Sequence, residues 1–284
     1  MGRIIDGHVH LWNAPRPGYT AVDLPHFPFP AEVDGTAETL ISQMDAHGVA
    51  RAIVVQSPWW RHDDRYLLEV AERWPERLTP VGCLPFFIAE TDVDAAVARV
   101  GRDGMHGVRM HVSGPNAVEA VTTRFDPIFR RLSEAGLPVL FLSRDRRALP
   151  AYGTICARFP ELRVVIDHFG YCTTEPFGGG RAEQDALMRL ARHPNAFVKL
   201  AIHHQHSREA YPWADLIPLQ ARLIAEFGAR RLLWGSNWPM REPTYAQRLE
   251  VLSRHFPFSS AEDRDWVLGR TSETLWPHPA PSVD

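Results

Sequence analysis

The chain has 284 residues, room for one large domain or two small ones, and its 45% hydrophobic and 23% charged content is ordinary for a globular protein. Its 31 Lys and Arg against 34 Asp and Glu leave a net charge of −3, mixed along the chain without runs, which argues against nucleic acid or a membrane surface as partner. No apolar stretch reaches the roughly 18–20 residues that cross a bilayer, and three widely spaced cysteines (Cys83, Cys156, Cys172) with a strand almost at the N-terminus predict a reduced, cytoplasmic protein without a secretory leader.

The first predicted element is an apolar strand, Arg3-Ile4-Ile5-Asp6-Gly7-His8-Val9-His10. Residues i and i+2 of a strand share a face, so His8 and His10 aim at one point where the strand ends. That is a metal-ligand or acid/base arrangement; alone it reads equally well as a structural pair. A loop over 11–35, rich in proline and aromatics, has no periodicity, and Tyr19, His26, Phe27 and Phe29 predict a packed lid. Thr36 caps a helix over 36–47, stopped by Gly48.

The second strand is Ala52-Ile53-Val54-Val55-Gln56, apolar throughout as a strand buried on both faces should be. Trp59, Trp60 and Arg61 follow it, then a helix over 64–74. A third strand over 78–84 carries Pro80, which weakens the reading. A helix over 91–102 leads to the fourth strand, Gly107-Val108-Arg109-Met110-His111-Val112, and a helix over 125–135 stops at Gly136. The fifth strand, 137–142, ends at Ser143-Arg144; after a helix over 147–159 the sixth, Arg163-Val164-Val165-Ile166-Asp167-His168, closes on Phe169-Gly170. The glycine run near 177–180 lacks the spacing of a phosphate loop and reads as a flexible connection. A helix over 182–192, a strand over 195–201 ending in Ile202-His203-His204-Gln205-His206, a helix over 213–227 and a strand over 231–235 running into Ser236-Asn237-Trp238-Pro239 complete the alternation. Two or three C-terminal helices and a proline-rich tail from Pro277 follow.

The strands begin near residues 4, 52, 78, 107, 137, 163, 195 and 231. Eight strands alternating with helices about every 30 residues predict an α/β fold, a (β/α)8 TIM barrel with C-terminal helices, as a single domain over 1–284; a doubly wound open sheet is the alternative. A barrel places its active site at the C-terminal strand ends. Those ends carry His8, His10, Gln56, Arg109, His111, Arg144, His168, His203, His204 and Asn237, with Trp59, Arg61 and Trp238 just beyond. Lys199 lies inside a strand and reads as a structural ion pair.

These residues resemble the amidohydrolase superfamily, in the branch of 2-pyrone-4,6-dicarboxylate lactonase and the sugar-acid lactonases. The resemblance rests on Asp6-Gly7-His8-Val9-His10, Val54-Val55-Gln56, Gly107-Val108-Arg109, Val165-Ile166-Asp167-His168-Phe169-Gly170, Val198-Lys199-Leu200 and Leu233-Trp234-Gly235-Ser236-Asn237-Trp238-Pro239, in that order along nearly the whole chain. It implies that His8, His10 and His168 bind a metal or polarise a lactone carbonyl, and that Arg109 holds a substrate carboxylate or carbonyl. Asn237 departs from the pattern: it stands where the family has an aspartate that activates water. An amide oxygen is scarcely basic, so Asn237 can position water or substrate but not take the proton.

The strand after 137 ends without an acid or lysine to bridge two metals. A metal-free site is expected; a single Zn²⁺, if bound, would use His8, His10 and His168. The expected activity is hydrolysis of a small lactone or pyrone, with His8, His10, His168 and Asn237 catalytic and Gln56, Trp59, Arg61, Arg109, His111, Arg144, His203, His204 and Trp238 binding substrate. The alternatives are a lyase, decarboxylase or cyclase acting on a conjugated small molecule, and an inactive natural or engineered variant that only binds ligand. The partner is a small-molecule substrate, and the protein a monomer or small homo-oligomer.

Overall fold

A computed structural model describes residues 2–12, 21, 29–60, 63–84, 88–101, 104–171, 173–240 and 242–277. Eight strands follow chain order around a nearly closed ring: β1 (Ile4–Val9), β2 (Val49–Val55), β3 (Leu78–Cys83), β4 (Val108–His111), β5 (Val139–Leu142), β6 (Val164–Ile166), β7 (Ala196–Leu200) and β8 (Leu232–Trp234). Each pairs with the next in parallel. This is the TIM barrel that the strand spacing predicts. The open-sheet alternative fails because β1 and β8 also meet. Val9 bridges Trp238, the His10 N–H donates to the Trp238 carbonyl at 2.9 Å, and the Asn237 N–H donates to the His8 carbonyl at 2.8 Å.

The period of two along each strand divides the side chains between two cores. Inward residues such as Ile5, Ile53, Val55, Val81, Leu140 and Val165 fill the barrel. Outward ones such as Val54, Met110, Phe141, Ile166 and Val198 pack under the helices. The helix Arg65–Arg73 shows the matching pattern, burying Tyr66, Leu67 and Val70 and exposing its charges. At the N-terminal end Trp276 plugs the barrel. Its indole N–H donates to the His106 carbonyl at 2.9 Å, and its own carbonyl accepts from Arg51 at 2.7 Å.

Several expectations change. β2 starts at Val49, not Ala52, because Arg51 turns inward at the barrel floor and bonds Thr79 as well as Trp276. Pro80 sits inside β3 without harm. Its missing N–H faces β4, whose ladder with β3 begins only at Gly82, and its carbonyl still accepts from the His106 N–H. A helix, Ala117–Thr123, precedes the expected one at Asp126–Glu134. The helix expected over 213–227 is a short 3-10 turn, Ala214–Leu216, followed by Ile217–Phe227. Of the expected lid, Tyr19, His26 and Phe27 lie outside the described residues, whereas Phe29 packs edge-on against Trp12, Trp59 and Trp60. Among the described residues no helix is long and apolar enough to cross a membrane.

Candidate active site

The site grows from the end of β1. Between Asp6 and Val9, β1 advances three residues while β2 advances two, from Ala52 to Val54, so β1 bulges there. The bulge brings His8 inward, fully buried. Gly235 makes this possible: a Cβ on it would stand 2.7 Å from the His8 Cβ, so any side chain would push β1 and the end of β8 apart. Asp6, also fully buried, ties the same seam. Its carboxylate accepts from the Ser236 N–H at 2.8 Å and from the Tyr245 hydroxyl at 2.9 Å.

Below the histidines lies a buried charge network. Asp167, inward at the end of β6, receives Arg109 Nε from β4 at 2.9 Å on one oxygen and stands 2.9 Å from Lys199 Nζ of β7 on the other. Lys199 and Asp167 have no exposed side-chain surface. The ion pair expected at Lys199 is therefore present, but it is part of the site: Lys199 Nζ also reaches His8 Nδ1 at 2.8 Å.

These contacts determine the tautomers. An ammonium only donates, so His8 Nδ1 must offer its lone pair and the ring proton sits on Nε2. His10 Nδ1 is 2.7 Å from the Val55 carbonyl, which only accepts, so His10 carries its proton there. Its Nε2 lone pair then meets the His8 Nε2–H at 3.2 Å. Lys199, His8, His10 and Val55 thus form a chain of hydrogen bonds running one way. His168 Nε2 faces the Arg109 guanidinium at 3.4 Å and must accept, which puts its proton on Nδ1. That buried N–H has no hydrogen-bond partner. An unsatisfied buried donor costs about 1–3 kcal/mol, and beside a functional cluster it calls for a partner such as a water or a ligand.

Desolvation holds the histidines neutral. It pushes His8 and His168 well below the ordinary imidazole range, and Lys199 and Arg109 push the same way. His10 falls to about 3 from burial and then the Arg109 charge. Burial would raise Asp167, but Lys199 and Arg109 outweigh it and keep its pKa well below the usual carboxylate value. Lys199 drops to about 8, lowered by burial and held up by Asp167.

A stability prediction follows from these signs. His10 and His203 titrate at about 3 and His204 at about 4 in the folded protein, each lowered from 6.5 by burial. Their stabilisation is fully present above pH 6.5 and is lost as pH falls toward 3–4, because the unfolded chain binds the protons first. Each such histidine should remove about 1.4 kcal/mol per pH unit below 6.5. Urea denaturation between pH 5.5 and 4.5 should show uptake of more than two protons on unfolding. A slope below one proton would mean that these rings stay in water.

Three left-handed turns shape the mouth. His168, Phe169 and Tyr171 after β6, Ile202 after β7 and Asn237 after β8 have φ between 50 and 55°. For non-glycine residues this conformation costs roughly 1–2 kcal/mol each, and such strain concentrates at functional sites.

The structure brings His8, His10, Arg109 and His168 together as expected, with Asn237 joined to His8 through the backbone. His111 is buried on β4, where the Arg109 charge and burial both depress its pKa. His203 and His204 lie against Trp213, with Phe169 at the edge of His203. Arg144 stands over Tyr171. Three further expected residues are engaged within the protein. Gln56 is fully buried and its amide is used within its own loop, on the Asp63 carbonyl, Asp64 and the Ser57 N–H. Trp59 packs edge-on against Trp12 and Phe29. Trp238 is buried in the β1–β8 seam. Arg61 lies outside the described residues. Asp6, Asp167 and Tyr171 were not anticipated as site residues.

His8, Asp167 and His168 form the one group among the described residues whose potential ligand atoms lie within 4.8 Å of one another. His8 and His10 add two Nε2 atoms 3.2 Å apart. The hydrogen bonds oppose an ion there. Ligation through His8 Nε2 would put a proton on Nδ1, against the Lys199 ammonium, and both Asp167 oxygens already face cations. With Lys199 charged, this donor set does not fit a divalent metal.

Comparison with known proteins places the fold and site in context. The family model described as Amidohydrolase matches residues 5–278. An L-fucono-1,5-lactonase of Burkholderia ambifaria is 33% identical over 253 residues, covering 83% of this chain and 80% of that one. A 4-sulfomuconolactone hydrolase of Rhizobium radiobacter is 24% identical, covering 89% and 83%. Among solved structures, an amidohydrolase of Burkholderia multivorans with bound zinc superposes with a TM-score of 0.75 at 22% identity, covering 98% of this chain and all of that one (100%).

Proposed function

The chain belongs to the amidohydrolase family, and from that premise we propose that it is a lactonase-type hydrolase that opens a small lactone ring by addition of water. The relatives named as lactone hydrolases support the reaction class. The observation that carries the assignment to this site is the unpartnered, buried His168 Nδ1–H beside His8. A neutral imidazole N–H donates to a lactone carbonyl, and the donation strengthens as the oxygen gains charge in the tetrahedral intermediate. Lys199 holds His8 in the tautomer whose Nε2–H donates to His10, which fixes both rings beside His168. Water adds to the carbonyl carbon, the ring C–O bond breaks, and the leaving alkoxide takes up the proton that the water loses. Asn237 positions the water without accepting its proton.

This reading uses no metal; it is supported by the Lys199–His8 bond and the two cations on Asp167, which compete with an ion at His8, Asp167 and His168. A small-molecule substrate and a cytoplasmic setting go with it, the latter supported by the free, buried Cys83 and Cys156. Incubation with a panel of lactones in ¹⁸O-water, after dialysis against a chelator, should yield labelled hydroxy acids. No turnover by the wild-type chain or by an Asn237→Asp variant would reject the assignment.

The amide at Asn237 favours one second reading. A substrate hydroxyl held beside the carbonyl can attack in place of water, with an effective molarity that offsets a missing base. The product is then a ring-shifted lactone without label, and its appearance in the same assay would replace hydrolysis with acyl migration.

A further inference from the structure

The outer face of the barrel is covered unevenly. Outward strand residues such as Val54, Met110, Phe141 and Val198 are at most 1% exposed beneath the helices. Val108, at the start of β4, differs: it stays half-buried, as do Leu68, Met105 and Leu137 around it. The sequence gives two reasons. Gly82, the ladder partner of Val108 on β3, carries no side chain, and a Cβ there would have nothing closer than Met105 at 3.4 Å. The helix Val93–Arg99 turns only the small side chains of Ala95 and Ala96 to this space. Between it and the helix Arg65–Arg73 a cavity of about 930 Å³ opens outward.

This cavity is separate from the histidine centre. Val108 lines it, whereas Arg109, the next residue, points into the barrel onto Asp167, so the sheet stands between the two. Its volume lies in the range of sites that hold small molecules, and contiguous apolar surface left uncovered marks a binding surface. The rim is charged but balanced: Arg99 pairs with Asp64 at 2.6 Å, and Arg65 Nε donates to Asp63 at 2.7 Å. An ionic ligand would have to displace one of these pairs. Thr91, also on the wall, is 3% exposed, and its hydroxyl has no hydrogen-bond partner among the described residues. A buried hydroxyl in that state calls for a partner.

We propose that this lateral cavity is a second binding site, for an uncharged, mostly apolar small molecule with one hydroxyl or carbonyl that meets Thr91. The apolar floor takes the body of the ligand, and the paired charges of the rim disfavour ions. The site lies outside the barrel and does not depend on the lactone-opening reading.

The test uses 1-naphthol, neutral at pH 7, with naphthalene and 1-naphthoate as comparators, titrated calorimetrically into the full chain. 1-Naphthol should bind saturably and shift the ¹³C resonance of the Met105 methyl group, which reports on the cavity. Thr91→Val keeps the shape and removes the hydroxyl; it should weaken 1-naphthol about 2- to 10-fold, the worth of one neutral hydrogen bond, and leave naphthalene unchanged. 1-Naphthoate should bind at least about tenfold more weakly than 1-naphthol, because its charge meets no unpaired cation. Ala95→Trp fills the cavity from an exposed position and should abolish binding, with thermal melts showing that both variants fold. The inference is overturned if 1-naphthol does not bind saturably, if binding leaves the Met105 methyl unmoved or survives Ala95→Trp, if 1-naphthoate binds as tightly, or if Thr91→Val treats 1-naphthol and naphthalene alike.

Discussion

Asn237→Asp should raise lactone hydrolysis by about 10²–10⁴-fold, the usual contribution of a positioned acid/base group. Among the described residues of the wild-type site no group is well placed to take a proton from water. Asp167 is ionised but faces two cations. His10 titrates at about 3, and its Nε2 lone pair already accepts from His8. Asn237 is partly exposed after β8, and its backbone N–H is already bonded to the His8 carbonyl. Aspartate tolerates the left-handed conformation there as asparagine does, so the variant should fold. Steady-state rates on the preferred lactone, with wild type as reference, read the effect. A flat or falling rate in a folded variant would show that Asn237 is fitted to a different reaction and would remove the mechanistic basis of the hydrolase reading.

Asp167→Asn should have the largest effect on stability. It leaves Arg109 and Lys199 without their shared carboxylate in a site with almost no solvent exposure. Breaking a buried pair by removing one partner typically costs about 3–5 kcal/mol, and here one carboxylate serves two cations. The loss should depend on pH in a way that plain loss of packing would not. Lys199 already titrates at about 8, and without Asp167 it should fall further. Its deprotonation relieves the unpaired charge, so the variant should regain part of the deficit between pH 7 and 9. Urea denaturation at both values measures this. A loss below about 1 kcal/mol at pH 7 would mean that water reaches the network and neutralises its cost.

Much of this arrangement is legible in the residue order. The eight apolar strands are spaced as a barrel requires, and a barrel gathers its strand ends on one face, so His8, His10, Arg109 and His168 could be placed together without coordinates. What escapes is the direction of individual side chains. Gln56 ends a strand, as a ligand-binding residue would, yet its amide turns back to brace its own loop. Asp167 was overshadowed by His168 beside it, although it sits two residues after the inward-facing Val165 and so shares its face. Lys199 is the single charge in Ala-Phe-Val-Lys-Leu, which demands a buried partner, but nothing in the strand says that the partner bridges to His8. The helix Ala117–Thr123 has too few residues to show a period and follows Gly114-Pro115-Asn116, which reads as loop.

The seam between β1 and β8 has a consequence for how the protein comes into being. Asp6 meets the Ser236 N–H across 230 residues of sequence, and His8 is held by the glycine and asparagine that follow the last strand. Closing a loop of that length costs about 5 kcal/mol in chain entropy by the logarithmic loop law, and contacts of such separation form late. A chain emerging from the ribosome carries its histidines for almost the whole of synthesis without the neighbours that set their geometry. Catalytic competence therefore arrives in one step, at the end, when β8 docks; an interrupted or C-terminally clipped chain should have six or seven strands' worth of fold and no working centre.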